Sequence, residues 1–270
     1  MPKPKQSEVC RQLAIQQFET AFFPEGQSLD AAWLGIYQVL LWWVNPADGG
    51  LPLPHIIDSD KFRPPRNSTS TALPPWRQRA ERVALYIAGH LGLPVKDLPD
   101  YFDRLMQTPM YEGIQRQNPL GIAYAGLVKH VIEKYSRSPL TWDTEVKASD
   151  VYPGIQLPGR STTPSIDVLG FDDDRHPAVI ISSKYSLRHD RTGDLTSECP
   201  VYKSAAMRSR RDLKYYVVTA EMDPARLSKI VNDSCIDGVV HIHKPLITEV
   251  LGMNGRMKDL VDLRDFVMSL

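Results

Sequence analysis

The sequence has few cysteines, no net charge and no long apolar run. Its 270 residues include three cysteines, Cys10, Cys199 and Cys235, which lie far apart and form no CxxC pair. This spacing supports neither a zinc ribbon nor a disulfide framework, and we expect three reduced thiols. Lys plus Arg and Asp plus Glu both total 32, which excludes a uniformly basic coat for nucleic acid but not a locally basic groove.

Membrane spans and the commonest enzyme motifs are also missing. The longest apolar run, near residues 31–44, is shorter than the roughly 20 residues that cross a bilayer. The basic start of the chain is not followed by the apolar segment of a secretory signal, so we expect a cytoplasmic protein. No Walker loop, GxGxxG, HExxH or GxSxG motif occurs, so none of these signatures assigns a function.

Helical spacing of apolar residues dominates the first half of the chain. It predicts amphipathic helices over 8–23 and 29–44. Residues 45–75 are rich in proline, glycine, serine and threonine, which predicts a long loop. Helical spacing returns over 76–93 and 120–135.

The second half alternates short strands with helices. Runs of β-branched and apolar residues predict strands over 141–146, 165–171, 178–183, 213–220 and 236–242. Helical spacing predicts helices over 201–209, 224–232 and 257–267. The strands first form a meander and then alternate with helices. This order predicts an α/β fold, in which a mixed central β-sheet is flanked by helices as an α/β/α core with a helical N-terminal region.

Two charged residues interrupt neighbouring apolar strands. Asp167 lies within the first strand and Lys184 ends the next, 17 residues later. A tight turn between two strands places such residues side by side in an antiparallel pair. A structural ion pair at the end of the sheet would explain the pattern. Together with Glu198 it also fits a Mg²⁺ hydrolysis site, since carboxylates bind hard cations and a lysine can orient water and offset developing charge.

An alternation of basic and acidic side chains follows the lysine, at Arg188, Asp190 and Arg191. Arginine can bond guanine O6 and N7 with two donors, and aspartate can accept from cytosine N4. The cluster is therefore suited to reading a run of G and C bases. A charged, solvated loop is the alternative interpretation.

These residues together resemble the type II restriction endonucleases of the PD-(D/E)XK superfamily that recognise CCGG-containing DNA. The matching residues are Asp167, Ser182-Ser183-Lys184, Arg188-His189-Asp190-Arg191 and Glu198. Ser182 stands where the superfamily usually has its second acid. The family displaces that acid to a later glutamate, and Glu198 is similar to it.

The resemblance implies roles for these residues. It implies that Asp167 and Glu198 bind Mg²⁺ and that Lys184 is the catalytic lysine. It further implies that the CCGG core is read by Arg188, Asp190 and Arg191.

The family's activity is cleavage of double-stranded DNA at a palindrome, leaving 5′-phosphates and 5′ overhangs. The resemblance implies this activity here, in a prokaryotic cytoplasm, by a homodimer or tetramer whose functional partner is a cognate DNA methyltransferase. A CCNGG- or CCWGG-specific relative is the alternative, although such relatives tend to have contiguous Arg-acid-Arg residues and His189 intervenes here. We expect residues 76–270 to form the endonuclease domain, and 1–75 to serve in dimerisation or as an arm around DNA.

The chain departs from the family's pattern in the helix before the first strand. Ala125 stands where the family has a glutamate, either as the natural residue or as a substitution, and Glu133 is a possible replacement two turns later. Without that carboxylate, the protein would be a catalytically impaired DNA-binding protein of the same fold. Gln115 and Gln117 are candidates for the minor-groove contact that the family makes from the segment before this helix.

Overall fold

The computed structural model describes most of the chain outside the proline-rich region. The residues that it describes are 6–44, 82, 85–87, 89–90, 117–158, 164–185, 187, 189–221 and 223–270. For residue 6 and for residues 40–44, 117–119 and 189–191 it describes the backbone alone. No helix within this part of the chain is long and apolar enough to cross a membrane.

The N-terminal helices pack onto the rest of the protein. Helix α1 (Gln6–Gln17) continues into a π-helical turn (Phe18–Phe22), and a 3₁₀ turn (Leu29–Ala31) leads into α2 (Ala32–Val44). Both helices lie within about two residues of the ranges that apolar spacing predicts. Helix α1 packs along α3 (Gln117–Tyr135). Buried side chains of these helices and of the sheet form one continuous hydrophobic core.

The described residues contain six strands, which form one mixed sheet. They are β1 (Thr141–Lys147), β2 (Ser165–Phe171), β3 (Pro177–Lys184), β4 (Lys214–Thr219), β5 (Gly238–His241) and β6 (Leu260–Asp262). The strands lie in the sheet in the order in which they occur in the chain. Strand β2 is antiparallel to both β1 and β3, and β3 to β6 run parallel.

Helices cover both faces of the sheet. The longer ones after β1 are α5 (His189–Arg208), α6 (Pro224–Val231) and α7 (Leu263–Ser269), and α4 (Ala148–Val151) is a single turn. Tyr215 and Tyr216 show where two of these helices lie. The Tyr215 ring packs against Tyr202 of α5 at 6.2 Å, and the Tyr216 ring against Phe266 of α7 at 4.8 Å. Because consecutive strand residues point to opposite faces, α5 and α7 lie on opposite sides, as the predicted α/β/α core requires.

Two predicted element boundaries are wrong. Helix α5 begins at His189 rather than at residue 201. Residues 260–262, predicted as part of a helix over 257–267, form β6 because they pair in parallel with β5. The helix starts only after them, where the Asp262 side chain caps it by accepting a hydrogen bond of 3.0 Å from the backbone N–H of Arg264.

The prediction of three reduced thiols is also wrong. Cys199 and Cys235 form a disulfide, and Cys10 is free and buried. Cys199 lies in α5, and Cys235 lies in the loop between α6 and β5. The disulfide therefore ties α5 to the loop that leads into the parallel half of the sheet.

Candidate functional site

Asp167 and Lys184 meet at the end of the hairpin formed by β2 and β3. The hairpin closes through a tight turn, in which the Asp172 N–H donates to the His176 carbonyl at 2.9 Å. Lys184 Nζ donates a short hydrogen bond to Asp167 Oδ2. Val168 pairs with Ile181, so Asp167 faces Ser182, and Lys184 is its diagonal neighbour on the same face rather than the facing residue that the sequence predicts.

Two serines of β3 complete the surroundings of the Asp167 carboxylate. The backbone N–H of Ser183 donates to Oδ2 at 2.9 Å, and Ser182 Oγ at 3.4 Å. These bonds end on the same oxygen as that from Lys184, and no described residue donates to Oδ1. The described residues thus hold Asp167 in place through one of its two carboxylate oxygens.

Glu198 reaches the same place from helix α5. Leu195, Cys199 and Tyr202, spaced by four and three residues, are all buried, which identifies the face of α5 that packs on the sheet. Glu198 lies on this face and is only 9% exposed. A carboxylate buried to this extent needs a compensating partner or ligand.

A cavity of about 110 Å³ brings these side chains together. Its polar side chains include those of Asp167, Ser182, Lys184, Glu198, Tyr202 and Tyr215. The predicted catalytic residues Asp167, Lys184 and Glu198 therefore line one cavity, although they come from β2, β3 and α5. Sequence reasoning missed the two tyrosines, and their only signal is the position of Tyr215 in an apolar strand that neighbours β3.

Tyr215 brings an unpaired polar atom to this cavity. It is 1% exposed, and none of the described residues makes a hydrogen bond of good geometry to its hydroxyl. Burial raises the pKa of Tyr215 well above 10, and the nearby Glu198 carboxylate adds to the rise, although the Ser182 hydroxyl lies close enough to oppose it slightly. The phenol therefore stays neutral and can act as a hydrogen-bond donor.

The carboxylate oxygens in the cavity are suitable ligands for a hard divalent cation. Mg²⁺ prefers oxygen ligands, keeps several waters and is often held by one or two carboxylates together with substrate phosphate. The described residues contain no cluster of three or more His, Cys, Asp or Glu that could enclose a metal ion. Two carboxylates, from Asp167 and Glu198, fit Mg²⁺ with waters better than they fit a closed structural metal site.

The predicted DNA-reading residues lie at the start of α5 or outside the described residues. Asp190 and Arg191 belong to the first turn of α5, which begins five residues after the end of β3. The structure describes only the backbone of these two residues. Gln117 is the first residue of α3, again with its backbone alone, whereas Arg188 and Gln115 lie outside the described residues.

Ala125, at the position where the resemblance implies a glutamate, and Glu133, its possible replacement, are not among the residues that line this cavity. Ala125 is 4% exposed and belongs to the hydrophobic core. Glu133 pairs with Lys129 at 2.7 Å and lines a different cavity, of about 420 Å³, together with residues of α1 and β1. Neither of them contributes a carboxylate to the cavity around Asp167.

A second polar cluster lies beyond the end of β5. His241 is fully buried, Nδ1 accepts from the His243 backbone N–H at 3.0 Å, and Nε2 lies 3.0 Å from the Glu221 carbonyl. Since Nδ1 accepts, the neutral ring carries its proton on Nε2 and donates it to Glu221. Burial lowers the pKa of His241 to about 4.

His243 is held by aromatic side chains. Its ring stacks on Trp33 at 3.8 Å, and its Nε2 lies 2.9 Å from the Tyr86 hydroxyl. Burial lowers its pKa to about 3, and the neighbouring His241 adds to this effect. Both histidines are thus neutral and satisfied within the fold.

Two kinds of comparison with known proteins find nothing, and a third finds similarity to a solved structure. No protein-family model matches the chain, and no curated protein is similar enough to count as a relative. The chain is similar to a solved structure described as metal-depleted Ecl18kI in complex with uncleaved DNA, with 11% identity and a TM-score of 0.35. The alignment covers 97% of this chain and 83% of that chain. A TM-score this low assigns neither a family nor a function.

Proposed function

We propose that the protein is a Mg²⁺-dependent type II restriction endonuclease that cleaves double-stranded DNA at a CCGG-containing palindrome. The observation that carries the proposal is the cavity that Asp167, Lys184 and Glu198 line together. Three separate elements supply these residues, and the cluster suited to base reading lies in the sequence between Lys184 and Glu198.

Asp167, Glu198 and Lys184 each have a proposed role in phosphodiester hydrolysis. Asp167 and Glu198 would hold Mg²⁺, which supplies a Lewis acid for the phosphate and makes a bound water more acidic. Lys184 orients the attacking water and offsets the negative charge that develops on the phosphate. The water oxygen bonds to phosphorus and gives up a proton to solvent as the bond to the 3′ oxygen breaks. The 3′ oxygen takes a proton from solvent water, which leaves a 5′-phosphate and a 3′-hydroxyl.

Arg188, Asp190 and Arg191 would read the bases of the CCGG core in the major groove. Guanine O6 and N7 accept from arginine, and cytosine N4 donates to aspartate. Cutting on the 5′ side of the first cytosine would leave 5′ overhangs. A palindromic site is matched by a two-fold symmetric protein, so we propose a homodimer or a tetramer of such dimers. In the cell, a cognate DNA methyltransferase would protect the host's own sites.

The experiment that tests this function is cleavage of a plasmid with mapped CCGG sites, in Mg²⁺ and in Ca²⁺, followed by sequencing of the ends. We expect discrete cuts in Mg²⁺ that leave CCGG 5′ overhangs, and binding without cuts in Ca²⁺. The sequenced ends also separate CCGG from CCNGG or CCWGG sites. Mg²⁺-dependent degradation without any site preference would refute the assignment of specificity.

A DNA-binding protein without cleavage activity is the second candidate function. The observation that favours it is the position of Ala125, which is buried in the core where the family has a carboxylate, while Glu133 lines another cavity. This candidate predicts CCGG-specific gel shifts in Ca²⁺ and intact plasmid in Mg²⁺. In that case the variant Ala125→Glu tests whether the missing carboxylate is the reason.

A further inference from the structure

Glu221 connects the end of β4 to the chain that follows β3, the strand that ends at Lys184. Strands β3 and β4 are parallel and their last pair is Lys184 with Thr219, so both strands end at the same edge of the sheet. Glu221 follows two residues after Thr219 and is 3% exposed. Its Oε2 accepts a hydrogen bond of 2.7 Å from the backbone N–H of Leu187.

This hydrogen bond fixes the chain between the proposed catalytic lysine and the start of α5. Leu187 is three residues after Lys184 and two before His189, where α5 begins. Its side chain is fully buried, so both the side chain and the backbone of Leu187 are fixed. The residues expected to read bases follow directly.

The Glu221 carboxylate is itself held rigidly. Its Oε1 accepts from the backbone N–H of Asp223 at 2.8 Å, and Arg226 lies 3.3 Å from Oε2. The backbone N–H of Glu221 donates to Thr219 Oγ1 at 3.1 Å. Burial raises the pKa of Glu221, whereas Arg226 opposes this rise. A buried carboxylate with two backbone donors and an arginine is costly to assemble, and such networks serve to specify one conformation.

We propose that Glu221 is a positioning residue for DNA recognition: it fixes the backbone of Leu187, which lies in the sequence between Lys184 and the residues proposed to read bases. This inference rests on the proposed function. Leu187 lies in the sequence between Lys184, which acts on the phosphate, and the residues that read bases. The hydrogen bond from Leu187 to Glu221 therefore couples cleavage to base reading.

The test compares two isosteric variants, Glu221→Gln and Asp262→Asn. Asp262 is a matched control because burial also raises its pKa and because each of its oxygens accepts a backbone N–H, at 2.7 Å from Lys244 and 3.0 Å from Arg264. It lies at the end of β6, at the opposite edge of the parallel strands from β3. In either variant the amide nitrogen faces a backbone donor, and Glu221→Gln in addition weakens the ion pair with Arg226.

The readout is the ratio of single-turnover cleavage rates on a CCGG duplex and on a duplex with one base pair of the core changed. We expect Glu221→Gln to lower this ratio about ten-fold or more, as the loss of one good base contact would. Asp262→Asn should leave it unchanged. A merely structural role lowers both rates together and leaves the ratio as it is, so an unchanged ratio in Glu221→Gln would overturn the proposal.

Hydrogen exchange of the Leu187 amide in the wild-type protein gives a measurement that needs no variant. We expect slow exchange in the absence of DNA, and exchange at the rate of an open loop would overturn the proposal. If the wild-type enzyme itself shows no preference for CCGG, the proposed function fails, and this inference fails with it. If the wild type discriminates and Glu221→Gln discriminates equally well, the role of Glu221 alone is wrong.

Discussion

Acid should destabilise the protein through His241, the buried imidazole that donates a hydrogen bond to the Glu221 carbonyl. Its Nδ1 accepts from the backbone N–H of His243, so protonation at Nδ1 must break that bond and place a charge in a site with no exposure. The pKa is about 4 in the folded protein and about 6.5 for an ordinary histidine. The neutral form is thus strongly preferred in the fold.

The sign and size of the effect follow from this difference. A lowered pKa contributes stability that is fully present above about pH 6.5 and is lost as the pH falls towards about 4. One pKa unit corresponds to about 1.4 kcal/mol, so the whole effect is about 3 kcal/mol, of which about 2 kcal/mol is lost between pH 7 and pH 5.

Urea unfolding at pH 7 and at pH 5, of the wild type and of His241→Gln, measures this contribution. Glutamine keeps one donor and one acceptor but does not titrate. The free energy of unfolding of the variant should therefore fall by about 2 kcal/mol less than that of the wild type over this range. Equal losses in the two proteins would refute the assignment of a neutral, hydrogen-bonded His241.

Three further predictions concern the candidate site and the disulfide. Lys184→Ala should slow cleavage in Mg²⁺ by about 10²–10³-fold but retain DNA binding in Ca²⁺, since it removes a group that offsets charge; Lys214→Ala, at a half-exposed side chain, is the control. Tyr215→Phe should leave the free energy of unfolding unchanged or raise it by up to ~1 kcal/mol, as urea unfolding would measure, because the hydroxyl that it removes is buried and has no hydrogen-bond partner of good geometry among the described residues. Reduction of the Cys199–Cys235 disulfide should lower the free energy of unfolding by about 3–4 kcal/mol, because the bond closes a loop with a sequence separation of 36.

Specific outcomes would contradict each of these three predictions. Equal cleavage by the two lysine variants would mean that Lys184 makes only a structural ion pair. A loss of stability in Tyr215→Phe would mean that the hydroxyl has a partner in solution. An unfolding transition that does not respond to reductant, with thiol labelling to show that reduction is complete, would remove the stabilising role of the disulfide.

The sheet could be predicted from the sequence where local patterns and tertiary packing agree. Strands β2 and β3 are short apolar runs on either side of an aspartate-rich turn, and both lie close to their predicted ends. Alternation of side chains along β2 and β3 puts Asp167 and Lys184 on the same face of the hairpin, although the register makes them diagonal neighbours and not the facing pair predicted. For this reason the sequence alone was enough to place two of the three predicted catalytic residues together.

The start of α5 was missed because local propensity opposes it. Its first turns contain Thr192, Gly193 and Asp194, which are poor helix formers, and Pro200 lies inside the helix. Burial of Leu195 and later residues against the sheet overrides this propensity. Helix formation here depends on tertiary contacts that no local window contains.

The disulfide and the role of Glu221 depend on contacts between distant segments. Cys199 and Cys235 are 36 residues apart, and spacing alone does not show which cysteines pair. Glu221 and Leu187 are 34 residues apart, and they meet because β3 and β4 end together. The only local sign of this contact is that Glu221, a charged residue, follows the apolar run over 213–220.

The order of the strands has a consequence for how the chain folds during its synthesis. Each of the six described strands after the first pairs with the one before it, so none of them is inserted later between two earlier ones. The sheet can therefore grow strand by strand as the chain leaves the ribosome, with its antiparallel half first. Asp167, Lys184, Glu198 and Tyr215, which line the cavity, all precede β5 and β6 in the chain. The cavity can thus assemble on a nascent chain whose parallel edge is still growing.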